Sequence, residues 1–254
     1  MKEIIRYQKK DKNSYLVIFL DGSVILYDDI IVKHELLLKK KLSDKEYEEM
    51  LKENKALASY YDGLSYLSYK ERTEKEVVLY LKKKDYSKES IDSAISRLKK
   101  ENLLNAERYV HFFLCDAIKF SSDGPEKLKK KLLDLGIQEE FIEKEFSKID
   151  DNIWTEKVQR LVEKKISSNH KDSVNLLKQK LGNYLYQKGY SKDYFSHVLD
   201  SVHIENSKDL VKKEKNKLVQ KLARKYTGKE LEFQLKKKLY QKGFSKEEID
   251  EVVE

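Results

Sequence analysis

Apolar residues recur at helical spacing through most of the chain. From Thr73 onward, Val77, Val78 and Leu81 mark a short helix, the pattern breaks at Lys84-Asp85-Tyr86, and Ser87 opens a second pattern at Ile91, Ile95 and Leu98. After a loop at Asn102 to Leu104, Asn105 can cap a third pattern through Val110, Phe113, Leu114, Ala117 and Ile118, which stops before Ser121-Ser122-Asp123-Gly124. The spacing predicts three helices joined by short turns.

The rest of the chain copies this group. LKKKDYSKESID at Leu81 returns as LLDLGIQEEFIE at Leu132, LYQKGYSKDYFS at Leu185 and LYQKGFSKEEID at Leu239. The residues after the turn, Tyr86, Ile137, Tyr190 and Phe244, recur at intervals of 51, 53 and 54. Gly precedes them in three copies and Asp85 in the first, as a left-handed helix C-cap requires. The predicted class is mainly α, with tandem three-helix repeats forming an elongated, curved solenoid. Its divisions fall at 73–124, 125–172 and 173–227, and 228–254 is a truncated fourth repeat. In the second repeat Leu128, Leu132 and Leu135, then Ile142, Phe146 and Ile149, then Trp154, Val158, Leu161, Val162 and Ile166 mark the helices. Trp154 reads as a core anchor, with base stacking as the alternative. The polar stretch from Ser167 to Asp172 reads as a hinge.

Residues 1–72 follow another period. Ile4 to Tyr7, Tyr15 to Leu20 and Val24 to Tyr27 are β-prone runs, and Asp21-Gly22 is a hairpin signal, so a small antiparallel sheet is expected. Asp28 or Asp29 can cap a helix through Ile31, Glu35 and Leu38. Ser43 can cap another through Tyr47, Met50, Leu51 and Leu57 toward Tyr69. The apolar run YLVIFL is too short to span a bilayer and no signal-peptide pattern follows it, which predicts a cytoplasmic protein with no membrane partner.

Composition sharpens the picture in one place. Lys and Arg number 53 against 45 Asp and Glu, a net charge of +8, and charged residues make up 39% of the 254 positions. Such a balance favours a polyanionic partner. Much of it is local: Lys208, Lys212, Lys213, Lys215, Lys217, Lys221, Arg224 and Lys225 stand against Asp209 and Glu214. At helical spacing Lys213, Lys217, Lys221 and Arg224 form one stripe, opposite Val211, Leu218, Leu222 and Tyr226. A solvated lysine face is the bland reading, and the nearby cluster Lys236, Lys237 and Lys238 favours a functional one. Arg72, Lys127 and Lys130 complete the candidate partner- or DNA-binding residues.

No catalytic constellation accompanies these cations. The sequence has neither a GxxxxGK[ST] loop nor a GxGxxG fingerprint. His34, His111, His170, His197 and His203 lack metal-ligand spacing, and the single Cys115 excludes an internal disulfide. Scattered carboxylates such as Asp62, Asp123 and Asp150 read as exposed ion pairs. A non-enzyme without cofactors is expected.

The segments YLSYKERTEKEVVLYLKKK, LLNAERYVHFFL and SSDGPEKLKKKLLDLGI, in this order, resemble the RecX family of regulatory proteins that modulate the RecA recombinase. The resemblance is strongest from Tyr66 to Ile142 and looser beyond. Ala106 stands where the family commonly has Asp and Val110 where a small Ala is usual, departures that touch capping and packing. The resemblance implies a monomeric regulator that lies along a RecA filament on single-stranded DNA and blocks ATP hydrolysis and strand exchange. A stack of repeats would touch several protomers, so modest contacts add through avidity. The alternative is a helical protein that binds bare DNA through phosphates without reading bases.

If each repeat contacts only its neighbours, small-angle scattering should return a radius of gyration clearly above the ~18 Å expected of a compact domain of this length. A compact sphere would overturn the solenoid.

Overall fold

A computed structural model of the chain describes residues 1–169, 172–202 and 208–253; the expected hinge residues His170 and Lys171, together with His203, Glu254 and the Lys208 side chain, lie outside the described residues. Strands β1 (Lys2–Lys9), β2 (Ser14–Phe19) and β3 (Gly22–Tyr27) precede helix α1 (Asp28–Lys33), strand β4 (Lys41–Leu42) and helix α2 (Asp44–Ser68). The remaining helices are α3 (Glu74–Lys83), α4 (Lys88–Lys100), α5 (Ala106–Phe120), α6 (Pro125–Asp134), α7 (Glu139–Phe146), α8 (Asp151–Ser167), α9 (Val174–Gln187), α10 (Lys192–Ser201), α11 (Lys208–Leu222), α12 (Gly228–Gln241) and α13 (Lys246–Val253). The chain is mainly α with a small N-terminal antiparallel sheet.

The sheet order is β3-β2-β1-β4. β1–β3 fall on the expected runs, and Phe19 pairs with Gly22 across a two-residue turn at Leu20-Asp21, one residue before the expected Asp21-Gly22. β4 was not expected: its two residues carry no period of their own and pair with Lys2 and Glu3. Asn54 of α2 ties the sheet to the helices, accepting from the Tyr27 N–H (3.1 Å) and donating to the Ile25 carbonyl (2.8 Å). The helix expected to run through Leu38 stops at Lys33, because Glu35 turns left-handed (φ 52°) and returns Leu36 to the core with no exposed surface. Ser43 caps α2 as expected, in a box with Glu46. Asn105 caps α5 through the Arg108 N–H (2.9 Å).

Two compact units divide the chain. One holds Met1–Phe112 with Leu132–Ile142, the other Phe113–Lys131 with Glu143–Glu254. In the first, α2, α3 and α4 pack together over a core that includes Val17, Leu26, Met50, Val77, Leu81 and Leu98. In the second, α8 packs with α9 and α10, and α11 with α12 and α13. Trp154 is buried in α8 and stacks on Phe146 with ring centroids 6.2 Å apart, which makes it the anchor and not the surface platform. In this unit, therefore, α8 and α11, each the third helix of a sequence period, pack with the first two helices of the next period.

One helix end is built four times. Asp85, Gly136, Gly189 and Gly243 all have positive φ (61°, 81°, 86° and 84°). The following N–H groups of Tyr86, Ile137, Tyr190 and Phe244 donate to the carbonyls of Leu81, Leu132, Leu185 and Leu239, at 3.4, 3.1, 3.1 and 3.3 Å. This is the six-to-one bond of a Schellman cap, with its apolar contact between the residue after the turn and the leucine inside. The four leucines are fully buried, and Ile137, Tyr190 and Phe244 are buried beside them. Tyr86 is half-buried and donates its hydroxyl to Asp62 (2.7 Å).

Three of these turns dock on the start of an earlier helix. The Gly124 N–H donates to the Lys188 carbonyl (2.7 Å) and the Glu126 N–H to the Gly189 carbonyl (3.1 Å), at the N-terminus of α6. Asn175 Nδ2, in the first turn of α9, donates to the Gly243 carbonyl (3.0 Å), and the Ser173 hydroxyl donates to the Lys242 carbonyl. Lys75 Nζ, in the first turn of α3, donates to the Asp134 carbonyl (2.7 Å) just before Gly136. A Cβ on Gly189 would lie 2.5 Å from the Lys127 backbone nitrogen. The turn at Asp85 packs on Asp62 of α2 through Lys84 (2.9 Å) and Tyr86, so a side chain fits there.

Gly189→Ala therefore carries both left-handed strain and a backbone clash, whereas at Gly228 (φ 57°) an added Cβ meets nothing within 4 Å. Urea unfolding should show Gly228→Ala costing about 1–2 kcal/mol and Gly189→Ala clearly more; equal losses would refute the docking argument.

Buried Asp123 sits beside this contact, 2.6 Å from Lys131, 3.1 Å from Lys127 and 3.5 Å from Lys188. Burial by itself pushes its carboxyl up, but hydrogen bonds and charge from Lys131 and Lys127 outweigh it and hold the group at about 2. The unfolded carboxyl, near ~3.9, binds its proton first, so the stabilisation is complete above that value and is lost as pH falls toward about 2. Asp123→Asn should be less stable at neutral pH and show a flatter fall of stability through this window in acid-titrated urea unfolding. An unchanged acid limb would remove Asp123 from the account.

Candidate functional site

Helix α11 presents the faces its sequence implies as far as Leu222, where it ends; Arg224 and Tyr226, expected on it, follow in the turn beyond. Val211 is buried and Leu218 and Leu222 are half-buried in the core shared with α12 and α13; Tyr226 is half-buried, while Lys213, Lys217, Lys221 and Arg224 are exposed. The four cations are not equivalent. Glu214, buried at 8% exposure, draws Lys217 of α11 (2.6 Å) and Lys242 after α12 (2.5 Å) onto itself. Hydrogen bonds from these two lysines lower the Glu214 carboxyl below its ordinary range. Lys215 donates to the Val252 carbonyl at the end of α13. Lys213, Lys221 and Arg224 have no ion pair among the described residues, and Lys213 lines a cleft of about 330 Å³ with Asp172, Leu176 and Leu210.

The other candidates divide the same way. Lys236 is engaged by Asp250 (3.0 Å) and Glu232 (3.3 Å), whereas Lys237 is exposed without an ion pair among the described residues. Lys127 belongs to the Asp123 cluster, and Lys130 is exposed. Arg72 lies over the Tyr66 ring (4.3 Å), which stacks on Tyr80 (4.1 Å between centroids), with Lys84 over Tyr80 (5.3 Å). Its guanidinium also meets Glu76 at 3.5 Å, so Arg72 is largely occupied in packing.

Sequence reasoning treated Glu214 only as a charge to subtract. Its place three residues after buried Val211 was the available signal that it faces inward. The lysine before three of the four turns was likewise missed as a class: Lys84, Lys188 and Lys242 cap helix ends and reach Asp62, Asp123 and Glu214. Asp62 and Asp123, expected as exposed pairs, are half-buried and buried. Among the described residues no group of three His, Cys, Asp or Glu side chains is placed to hold a metal, and no helix is long and apolar enough to cross a membrane.

The arrangement offers exposed cations on a helix whose opposite face is packed, which suits binding. Comparison with known proteins agrees. Family models described as the first and third three-helix domains of RecX match residues 60–98 and 155–199, which cover the end of α2 through most of α4 and then α8 through most of α10. The chain is 32% identical over 253 residues to "Regulatory protein RecX" of Streptococcus uberis, covering 96% of each chain, and 30% identical over 257 residues to that of Bacillus cytotoxicus, covering 97% of this chain and 94% of the relative. A crystal structure of regulatory protein RecX superposes with a TM-score of 0.69 at 21% identity, over 79% of this chain and all of the other, a likeness of fold. RecX from Lactobacillus salivarius superposes at 0.55 with 28% identity, over 58% and 98%. These relatives carry the name of a regulator and not of an enzyme. On packing, charge and near full-length similarity together, the chain belongs to the RecX family of regulatory proteins.

Proposed function

We propose that the chain binds the RecA nucleoprotein filament in the cytoplasm as a monomer and lowers its ATPase, recombinase and coprotease activities, so restraining recombination and the SOS response. The observation that carries this reading is the stripe on α11. In a regulatory protein with net charge +8, Lys213 and Lys221, on a helix whose other face is packed, and Arg224, in the turn that follows it, are exposed without intramolecular ion pairs among the described residues. Desolvated phosphates or carboxylates of a filament would meet cations that no internal carboxylate has to release. Lys237 and Lys130 extend the set of free cations. Lys217, Lys236, Lys127 and Arg72 contribute more through the structure they hold together. The second reading, phosphate binding to bare DNA, rests on the same stripe and is separated by the test.

Lys213→Glu/Lys221→Glu/Arg224→Glu leaves the Glu214 cluster intact and should fold as the wild type does, since exposed changes move stability by about 0.5 kcal/mol each. Labelled protein offered a RecA filament and bare single strand together should partition to the filament at physiological salt, lower the RecA ATPase at well under one molecule per protomer, and lose both effects in the triple variant. Equal partition with a steep salt dependence would support the bare-DNA reading instead. An unchanged variant would remove the stripe from the mechanism.

A further inference from the structure

The pentapeptide Leu-Tyr-Gln-Lys-Gly occurs twice, at 185–189 and 239–243. Its leucines are fully buried, its lysines reach Asp123 and Glu214, and its glycines make the left-handed turns. The tyrosines do not share in this packing, since Tyr186 is 71% and Tyr240 70% exposed.

On α12 the exposed tyrosine has company. Phe233, seven residues earlier, is 63% exposed, and Lys229 and Lys237 are exposed beside it. At about 100° per residue, Lys229, Phe233, Lys237 and Tyr240 fall within an arc of about 80°, with the two rings about 10 Å apart along the axis. Glu230 lies at the margin, and Glu232 is occupied by Lys236. The fold does not demand this face. Aligned on the pentapeptide, α9 carries Asn175, Gln179 and Asn183 where α12 has Lys229, Phe233 and Lys237. Beside the shared exposed tyrosine, the same helix is thus built once with three polar amides and once with a second ring and two lysines.

We infer that this face of α12 binds single-stranded nucleic acid, with bases stacked on Phe233 and Tyr240 and phosphates met by Lys229 and Lys237. Rings and cations alternate along the helix as bases and phosphates alternate along a strand, and stacking tolerates any base. A duplex keeps its bases inside and offers the rings nothing. A partner protein helix would call for a continuous apolar stripe, which the lysines interrupt. The site goes beyond the filament reading, which rests on the α11 stripe and shares only Lys237 with it, and its rings are tested on bare strands, so either idea can fail without the other.

The test is fluorescence anisotropy with a labelled oligothymidine, an abasic strand of equal length and a duplex. Wild type should prefer the oligothymidine. Phe233→Ala/Tyr240→Ala should bind it at least about fivefold more weakly per ring lost, bind the abasic strand as before, and keep the wild-type melting curve. Phe233→Trp should retain affinity. Lys229→Gln/Lys237→Gln, which leaves the rings, should reduce the salt slope by about two phosphate contacts. Equal wild-type affinity for the base-bearing and abasic strands, no wild-type binding to the oligothymidine, or an alanine variant that binds as tightly as wild type would each overturn the inference.

Discussion

The structure depends on the meeting of helix ends. A helix leaves carbonyls unpaired at its C-terminus and N–H groups unpaired at its N-terminus, with opposite partial charges. Here the turn after α9 places the Lys188 and Gly189 carbonyls on the Gly124 and Glu126 N–H groups, so each end answers the other. Related contacts recur at Lys75 with Asp134 and at Ser173 and Asn175 with the turn after α12. Gly is needed at 189 for both the left-handed turn and the close approach. The buried leucine and the large residue after the turn close the same joint.

This joint also sorts the charge. A lysine at each of three helix ends complements the macrodipole and reaches a carboxylate buried or half-buried nearby. With their heads drawn to Asp62, Asp123 and Glu214, these lysines are less available to a partner. A basic chain thus splits into cations that hold helix ends and cations that remain on open faces, among them Lys213 and Lys221 of α11 and Lys229 and Lys237 of α12. Exposed pairs elsewhere, such as Arg160 with Glu156, add little stability. Function in a protein of this kind falls to whatever the joints leave unused.

Much of this was legible in the chain. The helices, their caps at Ser43, Thr73 and Asn105, the turns before Tyr86, Ile137, Tyr190 and Phe244, and three of four strands follow local patterns. The apolar and basic faces of α11 were legible for the same reason. What failed were elements without a period of their own: β4, two residues long, exists through pairing with β1, and α1 ends early because Leu36 is drawn to the core.

Apart from the end of α1, the sequence by itself determined closely where these helices begin and end, because capping, chirality and spacing act within a few residues. Tertiary structure decided which helices pack together, such as α8 with α9 and α10 and α11 with α12 and α13. It also decided which cations are free. Lys242 meets Glu214 across 28 residues and Lys188 meets Asp123 across 65. No local period encodes a partner at that distance, since the pairing exists only once the intervening helices have packed.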